Sequence, residues 1–153
     1  MKYVFYAWLI AQYILAVHFI FLLVLVPAAE KRLKTMGYDI YLMDPRRQER
    51  ARTDKPHNIS GGTYQVGGTT ELWIHITYNY AKHFQNTLGK RGIRTIYGMT
   101  GEESIPVLQA AADKLEDDVH DDYGEPTEGN AKKALLDCIE LAKLAPHGVW
   151  DGD

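Results

Sequence analysis

Cysteine is nearly missing from this chain, with Cys138 the only one in 153 residues. That excludes an internal disulfide and any cysteine-rich zinc site. On the inner face of an expected helix, Cys138 reads as a small core residue. Charge is missing from a second place. Residues 3–26, YVFYAWLIAQYILAVHFIFLLVLV, hold no formal charge at neutral pH, and only Gln12 and His18 interrupt the apolar run. About 20 such residues span a ~30 Å hydrocarbon core, so the run predicts one amino-terminal membrane helix. Basic excess is missing as well. Residues 1–35 carry Lys2, Lys31, Arg32 and Lys34 against Glu30, and the whole chain is at −3, which leaves −6 for residues 36–153. An acidic domain is poorly suited to phosphate backbones, so nucleic acid is not an expected partner.

Tyr3, Tyr6 and Trp8 suit an interfacial aromatic belt, and Lys31, Arg32 and Lys34 follow the run. Set against the lone Lys2, that asymmetry places the carboxyl side in the cytoplasm. Two other readings stay open. The small residues around Val26-Pro27-Ala28 resemble a signal-peptidase site, although the run exceeds the h-region of a signal peptide. Met36 opens a natural domain start, so residues 1–35 also read as an upstream extension of a soluble chain. His18 would mark a proton or ligand path, but a single imidazole is more simply tolerated.

The pattern beyond residue 35 predicts an α+β domain of about three short antiparallel strands and three helices. Tyr38, Ile40 and Leu42 alternate with Asp39, Tyr41 and Met43, and Leu72, Ile74 and Ile76 alternate with Glu71, Trp73 and His75. Thr63–Val66, between the pairs Gly61-Gly62 and Gly67-Gly68, is expected as a third short strand. These glycine pairs fit neither a dinucleotide fingerprint nor a P-loop. Arg46, Arg47, Arg50, Arg52 and Lys55 follow the turn Asp44-Pro45, as a solvated hairpin tip or a surface for anionic lipid.

Tyr80, Phe84 and Leu88 line a first helix, capped by Thr77 and closed by Gly89. A second helix is expected to start at Ser104, keeping Pro106 in its first turn, with Ile105, Leu108, Ala112, Leu115 and Val119 inward. A capping box of Thr100 with Glu103 is the competing start, and it would push Pro106 into the helix interior. Thr127 caps the last helix, whose inner face is Ala131, Ala134, Leu135, Cys138, Ile139, Ala142 and Ala145. Trp150 is expected to pack back onto the domain.

Three constellations are candidates for chemistry. Residues 101–128 carry ten acidic side chains against Lys114 alone. Asp117, Asp118, Asp121 and Asp122 among them have the density to hold a cation, but lack EF-hand spacing and read as a solvated loop. His75 and His83 with Asp151 and Asp153 would make a metal set at no recognised spacing. Tyr78, Asn79, Glu128 and Asn130, with Trp150 and Asp151 in the tail, would bind an anionic or carbonyl ligand at helix amino ends, or cap one another. No catalytic nucleophile motif is present and no cofactor is implied.

The pieces Gly61-Gly62-Thr63-Tyr64, Thr77-Tyr78-Asn79-Tyr80, Gly92-Ile93-Arg94, Thr127-Glu128-Gly129-Asn130-Ala131-Lys132 and Gly148-Val149-Trp150-Asp151-Gly152-Asp153 carry a resemblance. Over residues 36–153 the chain resembles a family of small uncharacterised proteins encoded by phages and bacteria. The likeness implies no established activity. It implies a tryptophan where Gly124 stands here, and no apolar leader.

The expected function is a non-enzymatic binding module on the cytoplasmic face of a membrane, serving a protein or a small anionic ligand. The alternatives are a small metal-dependent hydrolase, or a soluble phage or prophage accessory protein if residues 1–35 are an extension. The full chain should sediment with membranes and resist carbonate extraction, because an uncharged 24-residue run partitions into lipid. Recovery in the soluble fraction without detergent would remove the anchor from the account.

Overall fold

A computed structural model describes residues 36–63 and 65–153. The expected membrane span at 3–26 lies outside the described residues. No helix among the described residues is long and apolar enough to cross a membrane. Residues 36–153 make up a compact unit of their own. Its architecture is α+β, with antiparallel strands and three α-helices.

The chain is built on β1 (Gly37–Asp44), where the expected alternation holds: Tyr38, Ile40 and Leu42 are buried. The turn after it is held by the Asp44 carboxylate, which accepts from Arg46 N at 2.8 Å. β2 (Glu49–Arg50) then pairs back, Met43 opposite Arg50. Buried Ala51 separates β2 from β3 (Arg52–His57), which pairs with β4 (Thr69–Glu71) as a separate ribbon. β5 (Trp73–Thr77) runs antiparallel to β1, with Asp39 opposite His75, Ile40 opposite Ile74 and Tyr41 opposite Trp73.

Thr77 accepts from Asn79 N at 3.3 Å and opens a 3-10 turn, Tyr78–Tyr80, which leads into α1 (Ala81–Leu88). A second 3-10 segment, Gly92–Ile96, precedes α2 (Gly101–Ala112). α3 (Glu128–Leu144) is capped by Thr127, whose hydroxyl accepts from Asn130 N at 3.1 Å. Tyr80, Phe84, Ile93, Ile96, Leu108 and Leu135 carry the helices onto the buried face of the sheet.

Three local expectations are corrected. α2 starts at the Thr100 capping box and not at Ser104: Glu103 N donates to Thr100 Oγ1 at 3.2 Å, and Thr100 N donates to the Glu103 carboxylate at 2.8 Å. The Thr100 backbone N–H and its hydroxyl both donate to that carboxylate and hold it below its usual range. Pro106 does fall inside the helix, but both it and Glu102, whose carbonyl loses a donor, are exposed to water. α2 also ends at Ala112, so Val119 lies outside it and is exposed. Thr63, Gln65 and Val66 belong to no strand; Val66 and Gly67 form a turn.

The four-stranded central sheet is completed instead by the tail. β6 (Val149–Gly152) pairs antiparallel with the other edge of β1, Leu42 opposite Trp150. Trp150 is 1% exposed, and its indole N–H donates to the buried Ser104 hydroxyl at 2.8 Å. Residues 36–153 alone should therefore unfold in one cooperative thermal transition. Trp150→Ala should cost about 3–5 kcal/mol and lower the midpoint by roughly 10 °C or more. A shift of only a degree or two would show that the tail does not belong to the core.

Candidate binding face

A strand sends alternate side chains to opposite faces, so burying Tyr38, Ile40, Leu42, Ile74, Ile76 and Trp150 sets what the other face carries. Asp39, Tyr41 and Met43 of β1, Trp73 and His75 of β5, Arg50 of β2 and Asp151 of β6 lie there, each at least partly open to solvent.

At one end, His75 Nδ1 lies 2.6 Å from Asp39 Oδ1. A carboxylate only accepts, so Nδ1 carries the proton. The imidazole lies over Gly37, where a Cβ would come within 2.6 Å of the ring. Asp39 N also donates to Asp153 Oδ1 at 3.2 Å. A carboxylate-oriented imidazole can pass a proton, but no hydroxyl or thiol bonds to its ring.

At the centre, Tyr41 and Trp73 occupy directly paired positions, yet their rings make no contact. Both line a cleft of about 220 Å³, together with Asp39, Ile40 and Arg50. A neighbouring recess of about 530 Å³ also has Arg50 and Trp73 in its wall, with Arg52, Gln65, Thr69 and Glu71. The Arg50 guanidinium carbon stands 4.6 Å from the centre of the Tyr41 ring. Glu71 receives Arg52 at 2.7 Å and Arg50 at 3.5 Å. These pairs are solvent-exposed and contribute little stability, about 0–1 kcal/mol each.

A larger space, about 600 Å³, lies between the β1–β2 turn and residues 145–148. Its walls are mixed in charge, with Arg47 within 4 Å of both Asp44 and Glu49. It brings together no aromatic side chain. The sheet face has the more specific chemistry.

The residues singled out by sequence go to three places. Asn79, Glu128 and Asn130 converge on the acidic segment 113–126. Asn79 Nδ2 donates to Gly124 O at 2.5 Å, and Glu128 Oε2 accepts from Glu116 N at 3.0 Å. Asn130, 3% exposed, accepts from His120 N and donates to Asp122 O and Glu125 O. Tyr78 stands edge-on to Tyr38, ring centres 4.4 Å apart. Trp150 is in the core, and Asp151 is exposed on β6. The metal set is dispersed too: His75 bonds Asp39, His83 Nε2 donates to Pro126 O at 2.8 Å, and Asp151 binds its neighbour Gly152 N. Among the described residues no group of three or more histidines, cysteines or carboxylates is placed to hold a metal ion.

The acidic segment is thus fastened along its backbone while its aspartates face water. Asp118 Oδ1 accepts from Gly129 N at 2.8 Å, and Lys132 donates to Leu115 O and Asp117. Tyr123 inserts from it toward the glycine loop: its hydroxyl donates to His75 O at 3.0 Å, and its ring fills the place a Cβ on Gly62 would need. Tyr80 in turn donates to Tyr123 O. Burial, with Asp122 nearby, pushes the Tyr80 phenol up to about 12, and burial with Tyr80 beside it also raises Tyr123. Both remain hydrogen-bond donors at neutral pH. Burial likewise raises the Cys138 thiol, which leaves it unreactive.

Comparison with protein-family models, curated proteins and solved structures finds no match. Tyr41 and Trp73 were not among the residues singled out by sequence, and Arg50 was singled out only within the basic run at 46–55. Their signal was there: aromatics at the outward positions of two alternating strands. Asn130→Ala should cost about 1–3 kcal/mol, because it strips one partly buried donor and two carbonyls of their partner. It should also expose residues 113–126 to protease before global unfolding; wild-type resistance at that segment would refute the fastening role.

Proposed function

We propose that residues 36–153 are a non-enzymatic binding module that takes its partner on the open face of the β6–β1–β5 sheet. The observation that supports this reading is the separated pair Tyr41–Trp73, two apolar rings that flank a cleft and leave each other untouched. Burying such rings is worth more than exposing them, so an occupant gains by filling the gap. The apolar run at 3–26 motivates the rest of the proposal, that the module is tethered to a membrane with its domain in the cytoplasm. If translation begins at Met36, the same module works as a soluble accessory protein, and its binding face is unchanged.

The hydrolase reading has the Asp39–His75 pair in its favour. It lacks a nucleophile at that imidazole and a converging ligand set among the described residues. Binding accounts for the aromatic cleft as well as the pair, and is the better reading.

The test is retention. The full chain, in detergent where needed, is equilibrated with a cell extract, dialysed and examined for retained compounds by mass spectrometry. At least one compound should be held by the wild type and lost from both Tyr41→Ala and Trp73→Ala. Identical retention in wild type and variants would end the sheet-face proposal.

A further inference from the structure

We infer that the occupant of this face is a mononucleotide whose base carries an amino group. The base enters the cleft lined by Trp73 and Tyr41, and the phosphate sits on Arg50 and Arg52. This deepens the sheet-face reading and rests on it.

Shape is the first argument. Side chains at directly paired antiparallel positions have Cβ atoms about 4.5–5.5 Å apart and normally pack together. Tyr41 and Trp73 occupy such positions without ring contact, and both line a cleft of about 220 Å³. A flat aromatic ring suits a cleft with the Trp73 indole in its wall, since stacking needs only a π-face, while Tyr41 has the Arg50 guanidinium over its own ring. The cleft is too small to hold a whole ligand. It shares Arg50 and Trp73 with the 530 Å³ recess, and the two together fall in the roughly 300–1,000 Å³ range of small-molecule sites.

Charge is the second. Arg50 and Arg52 both turn to the single carboxylate of Glu71, so one positive charge is left over. Each guanidinium has five N–H donors, and Glu71 takes only one from each. Uncommitted donors in a planar fork, in the wall of a recess, match the oxygens of a phosphate.

Size selection is the third. Residues 36–153 carry −6, concentrated in the ten acidic side chains of residues 101–128. That field opposes a long polyanion far more than a single phosphate held on two arginines. A free mononucleotide is therefore favoured over a nucleic-acid strand.

Asp39 adds selectivity. It lines the cleft, is exposed, and commits Oδ1 to His75, which leaves Oδ2 to accept. A carboxylate acceptor favours a base that offers an amine over one that offers a carbonyl at the same edge.

Equilibrium dialysis of the full chain, in micelles where needed, tests this with labelled CMP, AMP, UMP, cytidine, inorganic phosphate and an oligocytidylate. CMP or AMP should bind saturably, at about millimolar affinity or tighter. UMP, cytidine and phosphate alone should each bind about tenfold more weakly or less. Trp73→Ala and Arg50→Ala should each weaken CMP about tenfold, and Trp73→Phe should recover most of that loss. Asp39→Asn should erase the preference for CMP over UMP. All of these side chains point outward, and unchanged melting curves would show that the variants are folded.

Absence of saturable CMP and AMP binding overturns the inference, as does binding that Trp73→Ala and Arg50→Ala leave intact. Phosphate binding as tightly as CMP would reduce the site to an anion site and likewise overturn it. An oligocytidylate that binds tighter than CMP would replace the small molecule with a single strand. If nucleotides fail while extract compounds are still retained in a Trp73-dependent way, the mononucleotide falls and the sheet-face reading stands.

Discussion

One buried hydrogen bond holds the two ends of the domain's logic together. The indole N–H of Trp150, three residues from the end of the chain, reaches the Ser104 hydroxyl inside the core at 2.8 Å. A buried indole without an acceptor would cost free energy, and so would an orphaned hydroxyl. Ser104 is available because α2 begins three residues ahead of it; as a cap it would have spent its oxygen on the helix. The hydroxyl instead donates to Gly101 O and accepts from Trp150. The tail then lies as a strand along β1, with Gly98 N donating to Trp150 O and Trp150 N to Met99 O. A strand between β1 and the segment before α2 makes the sheet and the helical layer one structure.

The open face depends on that arrangement. With β6 on one edge of β1 and β5 on the other, the register puts Tyr41 between Asp151 and Trp73. On the far edge of β5, the glycine loop meets His75 through backbone bonds, Gly62 N donating to His75 O and His75 N to Ser60 O, and the Tyr123 hydroxyl donates to the same His75 O. Tyr123 belongs to the acidic segment, which Asn79, Asn130 and Glu128 fasten from the helical side. The candidate site is thus positioned by rigid strands and backed by a chain of satisfied polar contacts, the condition for a preorganised binding surface.

The charges divide along the same lines. Between residues 36 and 78, five acidic side chains are matched by five basic ones. The excess of negative charge sits on α2, the segment after it and the start of α3. The sheet side can therefore accept an anion locally while the domain as a whole stays acidic.

Sequence periodicity was enough for the α+β class, the inward faces of β1, β5, α1 and α3, and the burial of Trp150. Those follow from short-range rules: a period of two, a period near four, and the exclusion of large apolar groups from water. The cap at Thr127 was legible for the same reason, since its partner Asn130 N is three residues away. What sequence could not decide involved distant partners. Thr100 and Ser104 were both good caps by local chemistry, and the partner that the Ser104 hydroxyl has in the fold, Trp150, lies 46 residues further along. The polar residues at the helix starts were visible as a set. That their partners are backbone groups of segment 113–126 required the tertiary fold. Tyr41, Trp73 and Arg50 lie on different strands, and only the pairing of β1 with β2 and β5 brings them to one cleft, because register is fixed by long-range burial.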